Sequence, residues 1–229
     1  MIFDPLYLLL MAPAFILSLV TSFWVKSAFR KYSKVATASG LTGAQAAARV
    51  LQSGGVNDVQ IEATRGFLSD HYDPSKKVLR LSPDVYQGRS VSSIGVAAHE
   101  AGHAIQDAAG YAPMKLRTAI VPMASIGSNL SWLLLIGGMI IGSVGLIKVG
   151  VILFSAVVAF QVVTLPVEIN ASRRALAAIS SSGILMADEV VGARKVLTAA
   201  AMTYVAAAAS AILTLLYFLI RAGLLGGRD

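Results

Sequence analysis

The chain contains only three histidines, and two of them stand four residues apart. His99, Glu100 and His103 form an H-E-x-x-H pattern. Residues four apart share one face of an α-helix, so both imidazoles can reach one Zn²⁺ at about 2.0–2.1 Å. The glutamate beside the first histidine is placed to take a proton from an attacking water. The spacing therefore predicts a zinc centre with Glu100 as general base, and the alternative is a pair of histidines in the core of a buried helix.

The third metal ligand has to be a histidine or a carboxylate, because the chain has no cysteine. A catalytic zinc usually has three protein ligands and one open position. Gln106 and Ala109 exclude the extended motif that carries a third histidine on the same stretch. Glu168 is the strongest candidate, because an apolar hairpin before it returns the chain to the membrane face that it left. It could instead pair with an arginine at the membrane border, and His71 is the histidine alternative. The weaker carboxylate candidates are Asp107, Asp188 and Glu189.

Long apolar segments indicate that these residues belong to a membrane protein. Hydrophobic residues make up 56% of the chain and charged residues only 14%, whereas about a quarter of a soluble domain is charged. A span needs about 20 apolar residues, and the run 130–165 is long enough for two when it is divided at Lys148. A cleaved leader is the alternative for the first segment, but its positive charges follow the apolar stretch. The segments expected to cross the membrane are 6–25, 130–147, 149–165 and 197–220.

The distribution of positive charge predicts the orientation of these segments. With the N-terminus outside, 16 of the 19 Lys and Arg residues lie in the parts expected in the cytoplasm, 26–129 and 166–196, and 3 lie outside. This distribution agrees with the positive-inside rule. The same rule explains the net charge of +7, so we expect the lipid bilayer as a partner and no nucleic acid. The predicted location is the bacterial plasma membrane, as a multi-pass protein whose active site faces the cytoplasm.

The cytoplasmic parts predict a small α+β domain. Helices are expected at 44–51, after a threonine N-cap, and at 91–107, where apolar residues occur on several faces. Short strands are expected at 59–62 and 78–82. The second of these could be an edge strand that pairs with an extended peptide. The chain as a whole is therefore predicted to be a mainly α membrane protein with about four transmembrane helices and this domain on the cytoplasmic side.

Longer runs around the histidine motif carry a family resemblance. They include 70–74, 78–82, 97–106, 110–113 and 165–174. With these runs the chain resembles the YugP-type neutral zinc metallopeptidases. The resemblance implies a membrane-embedded, gluzincin-like peptidase, distantly similar to the HtpX and Ste24 peptidases, in which Glu168 completes the zinc site. That wider class often has an aspartate four residues after the acidic ligand. Ser172 stands at that position here, so Asn170 or Ser172 is expected to support a zinc-bound imidazole.

The residues and the resemblance together predict a zinc-dependent endopeptidase that forms one membrane domain over residues 1–229. Its cofactor is Zn²⁺, and its substrate is an unfolded or membrane-adjacent polypeptide. Glu100 is expected to activate the water and then to protonate the leaving amine. The expected metal ligands are His99, His103 and Glu168.

The oxyanion donor and the function as a whole each have an alternative. His71 is the candidate stabiliser of the oxyanion, and Tyr72 is its rival. The alternative function is a non-catalytic membrane scaffold with a structural zinc, which a closed fourth ligand such as His71 would mark. A transporter or channel is disfavoured, because the spans contain few polar residues. The sequence does not predict the oligomeric state.

Overall fold

The computed structural model describes residues 4–225 and is mainly helical, as predicted. A small sheet of three strands accompanies the helices in the described part of the chain. In chain order the elements are α1 Pro5–Tyr32, α2 Gly43–Ser53, β1 Gln60–Ala63, β2 His71–Asp73, β3 Val78–Leu81, α3 Pro83–Tyr86, α4 Val91–Ala108, α5 Ala112–Ile140, α6 Val144–Ser181 and α7 Ala187–Arg221.

Four of the helices are long and apolar enough to cross a bilayer, which confirms the expected number of such helices. They are α1, α5, α6 and α7, with 28, 29, 38 and 35 residues. A span needs about 20 residues, so α1, α6 and α7 extend beyond the segments predicted from hydrophobicity alone, and α5 begins well before its predicted segment and ends within it. A helix satisfies its own backbone hydrogen bonds, and polar flanking residues can continue it without a break.

The break between α5 and α6 differs from the one expected at Lys148. Gly142 has a φ of +70°, a left-handed conformation that favours glycine. The Ser143 amide donates to the carbonyl of Gly138 at 2.8 Å, which closes the end of α5 as a Schellman motif. Lys148 lies inside α6. The glycine therefore ends the helix and the lysine does not, so the second apolar helix lies earlier in the chain than the segment 130–147.

Contacts divide the chain into two compact units, each built from separate stretches. The first contains the described parts of 1–21, 116–165 and 203–229, and the second contains 22–115 and 166–202. In the first unit, Leu135, Phe154, Tyr217 and Phe218 form a buried apolar core. Many large apolar side chains of this unit are exposed, as expected for helices surrounded by lipid. They include Leu9, Phe15, Ile126, Leu133, Ile140 and Ile152.

The sheet belongs to the second unit and has the order β1-β3-β2. Strand β3 pairs in parallel with β1 and in antiparallel with β2. The prediction of a strand at 78–82 is confirmed, but the prediction that it lies at the edge is wrong. Val78, Leu79 and Leu81 are buried, and so apolar a strand is favoured at the centre of a sheet. The edges are β1 and β2.

Helices α2 and α4 of the second unit begin at side-chain caps. Thr42 accepts a hydrogen bond from the Gln45 amide, and Gln45 bonds back to Thr42, which completes a capping box before α2. Ser90 accepts from the Ser93 amide before α4. The predicted helices at 44–51 and 91–107 are confirmed. Most residues of α4 are buried, and many of them are small, so other elements can approach the helix closely.

Candidate metal centre

Helix α4 carries two histidines, and α6 brings one carboxylate to them. The Nε2 atom of His99 lies 3.2 Å from Oε2 of Glu168, and Nε2 of His103 lies 3.5 Å from the same oxygen. The two imidazole rings are 4.7 Å apart at 81°. Glu168 is only 1% exposed. The structure thus brings together the three residues that were predicted to be the metal ligands.

The spacing of these atoms fits a tetrahedral metal ion. Ligand atoms at about 2.0–2.1 Å from zinc in tetrahedral geometry are about 3.3–3.4 Å from each other. The two separations between histidine and glutamate, 3.2 and 3.5 Å, lie on either side of this value. One possible ligand atom from each residue lies within 4.8 Å of the others, and no other group in the described residues meets this criterion. Two histidines and one glutamate are a donor set of catalytic zinc.

The close approach of α4 and α6 depends on Gly102. A Cβ atom at this position would lie 2.6 Å from the backbone carbonyl oxygen of Ala171. Real Cβ atoms do not come so near, and a backbone atom cannot move aside cheaply. Ala171 follows Glu168 by about one helical turn. The absence of a side chain at Gly102 therefore lets α6 place its carboxylate against the histidines.

Each histidine turns its other ring nitrogen toward a polar side chain. Nδ1 of His99 lies 3.1 Å from Oγ of Ser172, and Nδ1 of His103 lies 3.0 Å from Oε1 of Gln106. Of the two residues expected behind the histidines, Ser172 contacts an imidazole, whereas Asn170 contacts Gln106. The sequence analysis missed this role of Gln106. The signal was its spacing, because a residue three positions after His103 shares its helix face.

Glu100 lies on α4 directly after His99 and is 8% exposed. A largely buried carboxyl that follows a candidate ligand in the sequence suits a group that exchanges protons away from bulk water. Its role as general base stays a prediction.

His71 lies on β2 and is exposed, outside the group of three. Its Nδ1 is 2.8 Å from the carbonyl oxygen of Ser69, and its Nε2 is 3.5 Å from a guanidinium nitrogen of Arg80. A neutral imidazole has one N–H, and the carbonyl of Ser69 accepts it. These contacts do not favour His71 as an oxyanion donor, and that role stays a prediction.

Tyr72 lies beside His71, and its hydroxyl donates to Oδ2 of Asp107 at 2.9 Å. Burial and this hydrogen bond raise the pKa of Tyr72 above its usual value. The phenol therefore stays protonated and is committed to Asp107, one of the weaker ligand candidates. Another, Glu189, accepts from the backbone amides of Met186 and Ala38, both at 2.7 Å. Neither carboxylate, nor Asp188, belongs to the group of three.

Four helices able to cross a membrane and a largely buried group of two histidines and a glutamate are the features of a membrane metallopeptidase. The family model described as "Putative neutral zinc metallopeptidase" matches residues 7–223. The chain is also 50% identical over 224 residues to the "Putative membrane protease YugP" of Bacillus subtilis (strain 168), covering 98% of this chain and 99% of that one. No solved structure matches it significantly. The chain belongs to this family of neutral zinc metallopeptidases and is a multi-pass membrane protein.

Proposed function

We propose that the protein is a zinc-dependent endopeptidase whose active centre is formed by His99, His103, Glu168 and Glu100. The observation that carries this proposal is the convergence of both imidazole Nε2 atoms on one carboxylate oxygen, at 3.2 and 3.5 Å. The two histidines lie on α4, and the glutamate comes from α6, more than 60 residues later in the sequence. The family match supports the same chemistry.

In this proposal the three side chains hold Zn²⁺, and Glu100 moves the proton. Zinc held by these residues would supply the polarisation of the attacking water and of the scissile carbonyl. Glu100 takes the proton of the attacking water and then delivers it to the nitrogen of the leaving amine, which would otherwise be expelled as an unstable anion. Gly102 and the small residues around it keep α6 against α4, so the ligands do not have to be assembled during the reaction.

The substrate in this proposal is an extended segment of an unfolded or membrane-adjacent polypeptide. Since β3 is the central strand, the edges available for pairing are β1 and β2. The hydrogen bond from the Tyr72 hydroxyl to Asp107 connects β2 to α4. We therefore assign the substrate-binding edge to β2, where backbone hydrogen bonds can hold a peptide with little dependence on its sequence.

The proposed location is the bacterial plasma membrane, with the N-terminus outside and the active centre facing the cytoplasm. The positive charges support it, because 16 of 19 Lys and Arg residues lie in 26–129 and 166–196. A non-catalytic scaffold is not favoured, since the group found in residues 4–225 has three ligands rather than a closed set of four.

The test is the Glu100→Gln variant of the full-length protein in detergent. The amide has the size of the carboxyl but cannot accept a proton, so zinc should be retained while cleavage of unstructured peptides falls by about 10²–10⁴-fold. Glu62→Gln, a change in a half-exposed ion pair with Arg80, is the matched control and should cleave normally. Equal cleavage by wild type and Glu100→Gln would refute the role of Glu100, and a wild type that binds no zinc would refute the centre itself.

A further inference from the structure

Gln106 is completely buried on α4, and its side chain joins α4 to α6. On one side, its Oε1 lies 3.0 Å from Nδ1 of His103. On the other side, its Nε2 lies 2.8 Å from the carbonyl oxygen of Val167 and 3.0 Å from Oδ1 of Asn170. Val167 and Asn170 flank Glu168 in the sequence. One amide group therefore contacts His103 on α4 and, on α6, the residues before and after Glu168 in the sequence.

The surrounding groups determine which way this amide points. The carbonyl of Val167 can only accept a hydrogen bond. Nε of Arg174 can only donate, and it lies 2.8 Å from Asn170, so the atom of Asn170 at this position is the acceptor Oδ1. Both neighbours toward α6 are thus acceptors, and Gln106 must turn its NH₂ group to them. Its oxygen then faces His103.

The orientation of Gln106 selects one tautomer of His103. An amide oxygen only accepts, so the proton of the neutral ring has to be on Nδ1. The lone pair is then on Nε2, the atom that points at Oε2 of Glu168 from 3.5 Å. Zinc binds an imidazole through such a lone pair, and a hydrogen bond at the other nitrogen holds the ring in place.

We infer that Gln106 is a positioning residue with two simultaneous tasks, which rests on the proposed zinc centre. It holds His103 in the tautomer that can bind zinc, and it holds the turn of α6 that contains Glu168 in register with α4. The two tasks are coupled, because the same amide must donate to α6 in order to accept from the histidine. The hydrogen bond from Nε of Arg174 to Asn170 extends this partly buried network, and linked hydrogen bonds of this kind restrict the side chains that make them.

The first experiment measures the affinity of full-length variants for Zn²⁺ by competition with a chromophoric chelator. Gln106→Leu removes both tasks and should weaken zinc binding by about 10–100-fold. Gln106→Glu still accepts from His103 but cannot donate to Val167, so its affinity should fall about 10-fold. The matched control is Gln52→Leu, a substitution at an exposed glutamine of α2, which should leave the affinity unchanged.

A pair of variants at Asn170 tests the network without altering Gln106. Asn170→Asp keeps an acceptor for both Gln106 and Arg174, so it should bind zinc like the wild type. Asn170→Leu removes the acceptor and should bind more weakly. Should Gln106→Leu fail to fold, this pair decides, and equal affinities of the two Asn170 variants overturn the inference.

The second experiment observes the tautomer directly by nitrogen NMR of the histidine rings in the metal-free protein. The chain has only three histidines, so the signals can be assigned by substitution. The proton of His103 should be on Nδ1 in the wild type and should move to Nε2 in Gln106→Leu. A merely structural glutamine would change the melting temperature without moving this proton.

The outcomes separate this inference from the proposed function. A wild type that binds no zinc, or a His103→Ala variant that binds as tightly as the wild type, would refute the metal centre. A wild type that binds zinc beside a folded Gln106→Leu variant of equal affinity and unchanged tautomer would overturn only the role of Gln106.

Discussion

The burial of Glu168 explains why the two histidines form a candidate metal site and not an ordinary part of the core. A carboxylate that is 1% exposed loses most of its hydration. In the structure the nearer imidazole nitrogen, Nε2 of His99 at 3.2 Å, can donate a hydrogen bond to it, and a divalent cation would provide further compensation. In the proposed centre Glu168 would therefore contribute to metal affinity at a cost to the stability of the metal-free protein.

Substitution of this carboxylate should separate the two effects. Glu168→Gln keeps the size and removes the charge, so we expect zinc affinity to fall by more than about 100-fold, since changes behind the ligands alone cost about 10–100-fold. The metal-free variant should melt at the same temperature as the wild type or higher, because an amide is less costly to bury. Zinc titration and thermal unfolding without metal measure both. A variant that keeps wild-type zinc affinity would remove Glu168 from the ligand set.

A substitution at Tyr72 tests whether its hydroxyl has a structural or a catalytic role. Tyr72→Phe removes the hydrogen bond to Asp107 and should lower the free energy of unfolding by about 0.5–1.5 kcal/mol. The value of kcat should be preserved, because the hydroxyl is committed to Asp107, and a looser attachment of β2 to α4 should change KM instead. Denaturation curves and kcat measured on the same samples check this. A loss of kcat of about 10-fold or more at unchanged stability would instead reinstate Tyr72 as the oxyanion donor.

The packing of α4 against α6 is the decisive feature at the scale of elements. The two helices meet at Gly102, where a Cβ would lie 2.6 Å from the carbonyl of Ala171. Gly95 similarly faces Ala193 of α7, at 3.3 Å from a Cβ to the alanine methyl. Small residues on α4 thus permit helices from distant parts of the chain to approach the histidines.

Gly102→Ala should separate α4 from α6. The methyl group meets backbone, so we expect a loss of about 1–3 kcal/mol in stability together with weaker zinc binding. Gly137→Ala is the matched control, because its Cβ would have nothing within 4 Å and alanine favours a helix. Thermal unfolding and zinc titration of both variants provide the comparison. Equal behaviour of the two variants would show that α4 and α6 do not need this close contact.

The turn between β2 and β3 has a pH dependence of its own. Asp73 accepts hydrogen bonds from the Ser75 hydroxyl and from the amides of Ser75 and Lys76, and it pairs with Arg80. These contacts, the Ser75 hydroxyl first among them, lower the pKa of Asp73 to about 2. Because the pKa is lowered, the ionised carboxylate stabilises the fold when the pH is above 3.8, the ordinary pKa of the group. This stabilisation disappears as the pH falls toward 2.

Asp73→Asn should therefore melt at a lower temperature than the wild type at pH 7. The difference should decrease between pH 4 and pH 2 and not between pH 7 and pH 5. Thermal unfolding of both proteins across this range measures it. A difference that stays constant down to the lowest pH would mean that the charge of Asp73 does not stabilise the turn.

The distribution of charge and apolar residues predicts how the whole molecule is oriented in the membrane. Helix α6 has 38 residues, equivalent to about 57 Å, which exceeds a hydrocarbon core of about 30 Å. Its two ends therefore lie on opposite sides if it crosses the bilayer. The excess of Lys and Arg in 26–129 and 166–196 predicts that its C-terminal end faces the cytoplasm.

Labelling with a membrane-impermeant maleimide tests this orientation, and the chain offers a clean background because it has no cysteine. Ser143→Cys, before α6, should react in intact cells. Ser182→Cys, after α6, should react only once the membrane is permeabilised. The unmodified chain is the control for background. The reverse pattern would place the active centre outside the cytoplasm.

Local patterns allowed much of this protein to be predicted from sequence. The helix with His99 and His103, the threonine cap of α2, the strand β3 and the number of apolar helices follow from spacing and composition over short stretches. Such features depend on neighbours along the chain, whose positions the backbone itself limits. The third candidate ligand was predicted because a hairpin constrains where the chain returns.

Which distant groups meet depends on the folded arrangement of the chain. The central position of β3 depends on pairing with β1 and β2, and the end of α5 depends on the conformation of Gly142 rather than on the charge of Lys148. The orientation of the Gln106 amide depends on acceptors in α6 about 60 residues away in sequence. Hydrogen-bond partners and close packing are properties of positions in space, and a one-dimensional pattern does not contain those positions until the chain has folded.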